Sequence, residues 1–207
     1  MDIEGRGENP FDKPNAALKG SDPAAVARKA AGQWKAHGGG GGTLELPVLY
    51  GKFSVTWPDI DVEAQPGSLG SSSLKLLTLL YLANTNGSAP SREMVAYRQL
   101  SGGRFYEPVV KRSVEAPLAD AFGSDVAAFK TACASLGGRE TRRGDASCAF
   151  TLFPGVVIEF LLWGADEEFA ARAQVLFDSS STQHLGAFDL RMAAQEISGR
   201  LIKLGKS

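Results

Sequence analysis

The chain has 207 residues, and its 22 basic and 23 acidic side chains leave a formal net charge of −1, so no long-range field draws nucleic acid to it. Hydrophobic residues make up 43% and charged residues 22%, a globular mixture with enough apolar material for a core. A domain commonly holds about 100–200 residues, so the expectation is one domain over 21–204 with an N-terminal arm, 1–20, and a short tail, 205–207.

Met1 to Gly20 mixes Gly, Pro, Asn and charge without periodicity and reads as a mobile arm. Ile3-Glu4-Gly5-Arg6 matches a protease-site sequence and is set aside from fold reasoning. No apolar run of signal-peptide type follows, and nothing approaches the ~20 apolar residues of a membrane helix. Asp22-Pro23 is a helix start, a capping side chain before a proline at the first helical position. Val26, Ala30 and Trp34 recur at four-residue spacing and predict a helix that stops at His37 and the glycines 38–42. That glycine run precedes a strand rather than a helix, so it reads as a connector and not as a phosphate cradle.

Leu44, Leu46, Val48 and Tyr50, then Phe53, Val55 and Trp57, alternate as a hairpin about Gly51, with a short third strand at Ile60 to Glu63. Pro47 has no backbone donor, which puts its strand at an edge or a bulge. Ser71-Ser72-Ser73 caps a helix running through Leu74, Leu77, Leu80 and Leu82, apolar on nearly all sides and therefore central. Ser72 and Lys75 also fit an S-x-x-K pattern, but its companion motifs are missing and the helix cap is the better reading. A strand is predicted over Met94 to Leu100, a helix from Pro117 to Phe122, and another from Val126 to Leu136 capped by Asp125. Strands follow at Ser147 to Phe153, at Val156 to Trp163 and at Ala173 to Asp178. The second of these is apolar on both faces except at Glu159. A final helix points Leu190, Ala193, Ile197, Leu201 and Leu204 inward. The fold class is α+β: a single domain whose mostly antiparallel mixed sheet of hairpins is packed by about five helices, one central and buried.

Cys133 and Cys148 lack any CxxC or Cys/His spacing, which argues against zinc or iron–sulfur ligation by this chain alone. Both read as free core thiols, as suits a reducing cytoplasm. The Arg139-Glu140-Thr141-Arg142-Arg143 cluster reads as a solvated loop.

The chemistry rests on Trp163-Gly164-Ala165-Asp166-Glu167-Glu168-Phe169 and on Asp178 before three serines. Asp166, Glu168 and Asp178 converge if the strands ending at Trp163 and Asp178 finish at the same edge, with His184 six residues beyond as a nitrogen donor. Such a set suits a divalent ion, the basis of a metal-assisted hydrolase or transferase. The plainer reading makes Asp166 and Asp178 turn caps. Arg104 and Tyr106 form a second candidate pair, a guanidinium for an anion beside a stacking face. No catalytic residue is assigned. The expectation is that Arg104, Asp166 and Asp178 surround one hollow.

From Gly102-Gly103-Arg104-Phe105-Tyr106 onward, Ala116-Pro117-Leu118-Ala119-Asp120-Ala121-Phe122-Gly123, Leu136-Gly137-Gly138, Gly144-Asp145-Ala146, Leu162-Trp163-Gly164-Ala165-Asp166-Glu167-Glu168-Phe169 and Leu176-Phe177-Asp178 occur in that order. This text resembles a prokaryotic family known as domain of unknown function 3786, some of whose members carry an iron–sulfur label. The resemblance runs from Asp22 to about Lys203. It implies an accessory or small-ligand-binding domain that works with a redox or methyl-transfer partner. The partner, an iron–sulfur or corrinoid protein, would carry the cofactor, since two isolated cysteines cannot hold a four-thiolate cluster.

Overall fold

Alternating apolar residues divide the strands between two antiparallel sheets. The computed structural model describes residues 9–206; the protease-site match, the arm as far as Glu8 and the terminal Ser207 lie outside them. The first sheet orders β1 (Gln33–Ala36), β2 (Gly42–Val48), β3 (Gly51–Trp57) and β4 (Val62–Ala64) in sequence. Pro47 pairs with Lys52 beyond the last β1 pair, where β2 has lost that neighbour and a missing donor costs little.

The second sheet has five strands in the order β5-β9-β8-β7-β6: β5 (Met94–Ala96), β6 (Arg139–Glu140), β7 (Ala146–Phe153), β8 (Val156–Trp163) and β9 (Arg172–Asp178). The registers Cys148↔Phe160↔Val175 and Phe150↔Ile158↔Phe177 put the large apolar side chains on one face. Beyond the short α4 (Glu107–Val110), helices α5 (Ala116–Phe122) and α6 (Val126–Ser135) pack against that face, and α7 (Ala187–Gly205) packs against both of them. The central helix α3 (Ser72–Asn84) is capped as its sequence predicts, the Leu74 amide donating to Ser71 Oγ at 3.1 Å. The opposite face carries Ala149↔Glu159↔Leu176. The class is α+β, with two sheets in place of the one expected.

The structure corrects several further expectations. The arm contains helix α1 (Asp12–Lys19), which buries Leu18 and offers its carbonyl to Trp57 Nε1 at 3.2 Å. A single leucine gives no detectable period, which is why composition hid this helix. Helix α2 is short (Pro23–Lys29), and Trp34 lies on β1 instead, edge-on to Trp57. Gly32 ends the helical spacing because its backbone lies flat against β2, where a Cβ would stand 2.9 Å from the Glu45 carbonyl. The strand predicted to Leu100 stops at Ala96, whose amide is taken by Gln99 Oε1 at 2.8 Å as the chain turns. Leu204, expected inward, is exposed. Cys133 and Cys148 are not free thiols: α6 lies across β7 and the two are joined in a disulfide, Cα–Cα 6.4 Å. The argument from free thiols to a reducing compartment therefore falls away. Among the described residues no helix is long and apolar enough to cross a membrane.

Candidate functional site

Strand direction decides the fate of the acidic residues. β8 and β9 form an antiparallel hairpin in which Trp163 pairs with Arg172 and Ile158 with Phe177. Asp166 therefore sits in the connecting loop, while Asp178 lies six residues along β9 from Arg172, a rise of roughly 20 Å. The shared edge assumed from sequence does not exist, and the two carboxylates cannot share an ion. Asp166 is exposed and caps its own loop, its Oδ1 accepting from the Glu168 and Phe169 amides at 2.9 and 2.7 Å. Glu168 is exposed beside it. Among the described residues no group of three or more His, Cys, Asp and Glu is placed to hold a metal ion.

Asp178 is 1% exposed and works as a clamp. Its Oδ1 accepts from the Ser91 amide and hydroxyl at 2.9 and 2.8 Å and from those of Ser180 at 3.0 and 2.6 Å, while Oδ2 accepts from the Arg92 amide at 2.6 Å. Burial pushes this carboxyl upward, and the Ser180 and Ser91 donors outweigh it, so its pKa lies below the ordinary value of 3.8. The clamp holds Arg92 at φ +67°, a left-handed conformation that a long side chain adopts only when its surroundings enforce it. His184 is buried behind the same corner, with Nδ1 2.8 Å from Thr85 Oγ1 and Nε2 3.4 Å from Ser88 Oγ. Burial lowers its pKa against the pull of Asp178, so it is held neutral.

Arg92 points to what the sequence reading missed. The face of the five-stranded sheet turned away from the helices holds a hollow of about 460 Å³. Arg92, Arg139 and Arg143 line it above a floor that includes Met94, Ala149 and Val157. Glu159, 2% exposed, anchors one wall. Its Oε1 lies 2.5 Å from Thr141 Oγ1, which lies 2.7 Å from Ser147 Oγ. With one proton per hydroxyl, Thr141 donates to the carboxylate and Ser147 to Thr141. Ser147 Oγ in turn accepts from the Arg143 amide at 2.9 Å, and Arg143 Nε stands 3.7 Å from Glu159 Oε2. The supposed solvated loop is thus tied down over the sheet. Three guanidiniums face two carboxylates. Asp178 is fully engaged by hydroxyls and amides and Glu159 by Thr141 and Arg143, which leaves the Arg92 and Arg139 side chains without an ion-pair partner among the described residues. The one charged residue in the apolar run of β8 was the signal available in the sequence.

The other sequence candidates lie elsewhere. Arg104 lines a separate hollow with Arg98, Leu100, Phe105 and Glu107. Tyr106 does not pair with it across that hollow but packs edge-on to Phe188 at 6.0 Å.

Two antiparallel sheets, the five-stranded one packed by helices on one face and open at a basic hollow on the other, define the class as an α+β domain. The chain belongs to the family described as Domain of unknown function (DUF3786), whose model matches residues 22–200. No curated protein and no solved structure matches it.

Proposed function

We propose that the protein is a small-ligand-binding accessory domain whose ligand is a small organic anion seated in the Arg92–Arg139–Arg143 hollow. The observation that carries this reading is the surplus of positive charge around the hollow. The Asp178 clamp fixes the Arg92 backbone and Glu159 pairs with the Arg143 guanidinium, while the Arg92 and Arg139 guanidiniums have no ion-pair partner among the described residues. Guanidinium forks match carboxylate and phosphate oxygens. The apolar floor of Met94, Ala149 and Val157 favours an acid with a carbon body over a bare inorganic ion. A partner bearing an iron–sulfur or corrinoid cofactor completes the reading. It is supported by the family likeness and by the two cysteines being joined to each other, which leaves this chain no thiolate for a cluster.

Titration calorimetry with a panel of organic acids and phosphate esters tests the ligand. At least one is expected to bind, with Arg139→Gln weakening it roughly 10- to 100-fold, the worth of one charge-assisted contact. Glu168→Gln, far from the hollow, should leave the affinity as it was. Failure of every acid in the panel at millimolar concentration, or indifference to Arg139→Gln, would refute the site.

A further inference from the structure

A second hollow, of about 660 Å³, lies outside this site, beside the glycine turn that carries Arg104. Its frame is rigid. Leu100 is buried, Gly102 takes φ +78°, and Gly103 passes so close to the Tyr97 carbonyl that no side chain fits. The Tyr97 hydroxyl donates to the Ala187 carbonyl at 2.6 Å and anchors the turn to α7. On this frame Arg98 and Arg104 line the hollow, and neither side chain has a hydrogen-bond or ion-pair partner among the described residues. Glu107, the only acid in the lining, is already paired with Lys111 at 3.0 Å. Phe105 forms part of the wall and is 88% exposed, although nothing in the packing requires an aromatic ring there.

Two free guanidiniums beside an uncovered phenyl ring, on a backbone that cannot relax, match a ligand with a doubly charged anionic end and a flat body. We infer that this hollow binds a mononucleotide, its phosphate held by Arg98 and Arg104 and its base stacked on Phe105. A phosphomonoester carries close to two negative charges at neutral pH, one for each guanidinium. Stacking on an exposed ring tolerates any base, so the site selects for the class rather than for one nucleotide. The inference stands apart from the organic-acid site, because the two hollows share no lining residue.

The test uses the full chain with AMP and UMP as probes, set against adenosine and ribose 5-phosphate, which carry the base or the phosphate alone. Both nucleotides are expected to bind at least about tenfold more tightly than either fragment. Phe105→Leu and Arg104→Gln should each cost a similar factor, with unchanged circular dichroism because both side chains are exposed. Arg139→Gln should leave nucleotide affinity unaltered, which separates this site from the first. The inference is overturned if neither nucleotide outbinds its fragments, or if Phe105→Leu binds them as well as the parent does.

Discussion

Two buried side chains, Asp178 and His184, show how a residue chosen for chemistry can be spent on architecture. His184 is neutral in the fold because burial holds its pKa below 6.5. The unfolded chain takes up that proton first, so stability from this group is complete above about pH 6.5 and is lost as pH falls through the folded value. Asp178 has the same sign in a separate window below its ordinary 3.8. Glu115 and Asp189, raised by burial, run the other way, because the native state binds their protons first. The difference between parent and His184→Gln isolates the histidine. Urea midpoints measured at pH 7.5 and 5.5 should fall on acidification in the parent and fall less in the variant, and equal slopes would contradict the assignment. Sequence reading offered Asp178 and His184 as ligand residues, with a turn cap as the plainer reading of Asp178. The cap at Ser180 was legible for Asp178, but the rest of the clamp and the setting of His184 stayed hidden because Ser91, Arg92 and Thr85 lie 86 or more residues away.

Local periodicity serves better for elements than for single residues. The runs through β3, β7, β8 and β9, the capped α3 and the Asp125 start of α6 are visible because alternation in β3, short apolar runs bounded by turns in the others, or a cap admits one local structure. The α2–β1 boundary failed because Trp34 falls by accident on the four-residue spacing of a helix that has already ended. Convergence of Asp166 with Asp178 failed for a different reason. Consecutive strands joined by a short loop pair antiparallel by default, which places their C-terminal ends at opposite edges. The turn at Gly103 gives a prediction at this scale. Gly103→Ala sets a methyl group against the Tyr97 carbonyl, where the neighbouring atom is backbone and cannot swing aside. A loss of about 2 kcal/mol or more in denaturant unfolding is expected. An unchanged midpoint would mean that the turn is looser than described.

For the molecule as a whole, one cross-link ties the five-stranded sheet to the helices packed on it. The Cys133–Cys148 bridge closes a loop with a sequence separation of 15, which ties α6 to β7 next to the wall of the arginine-lined hollow. A loop of that length is worth about 3 kcal/mol by restricting the unfolded chain. Urea unfolding with and without reductant should differ by that order, and the Cys133→Ser, Cys148→Ser double variant should behave as the reduced parent does. Coincident curves would show that the bridge contributes nothing. Sequence could not disclose the pairing, since it depends on α6 crossing β7 and not on the spacing of the cysteines.

The five-stranded sheet ends at β5, three residues long, and at β6, two residues long. Such stubs give a neighbouring molecule little backbone to zip onto, the Leu49 amide and the Glu115 carboxylate occupy Leu152 and Val175 beyond them, and the guanidinium at Arg139 repels a like copy. The same economy that leaves the basic face open thus guards this sheet against runaway polymerisation into fibrils.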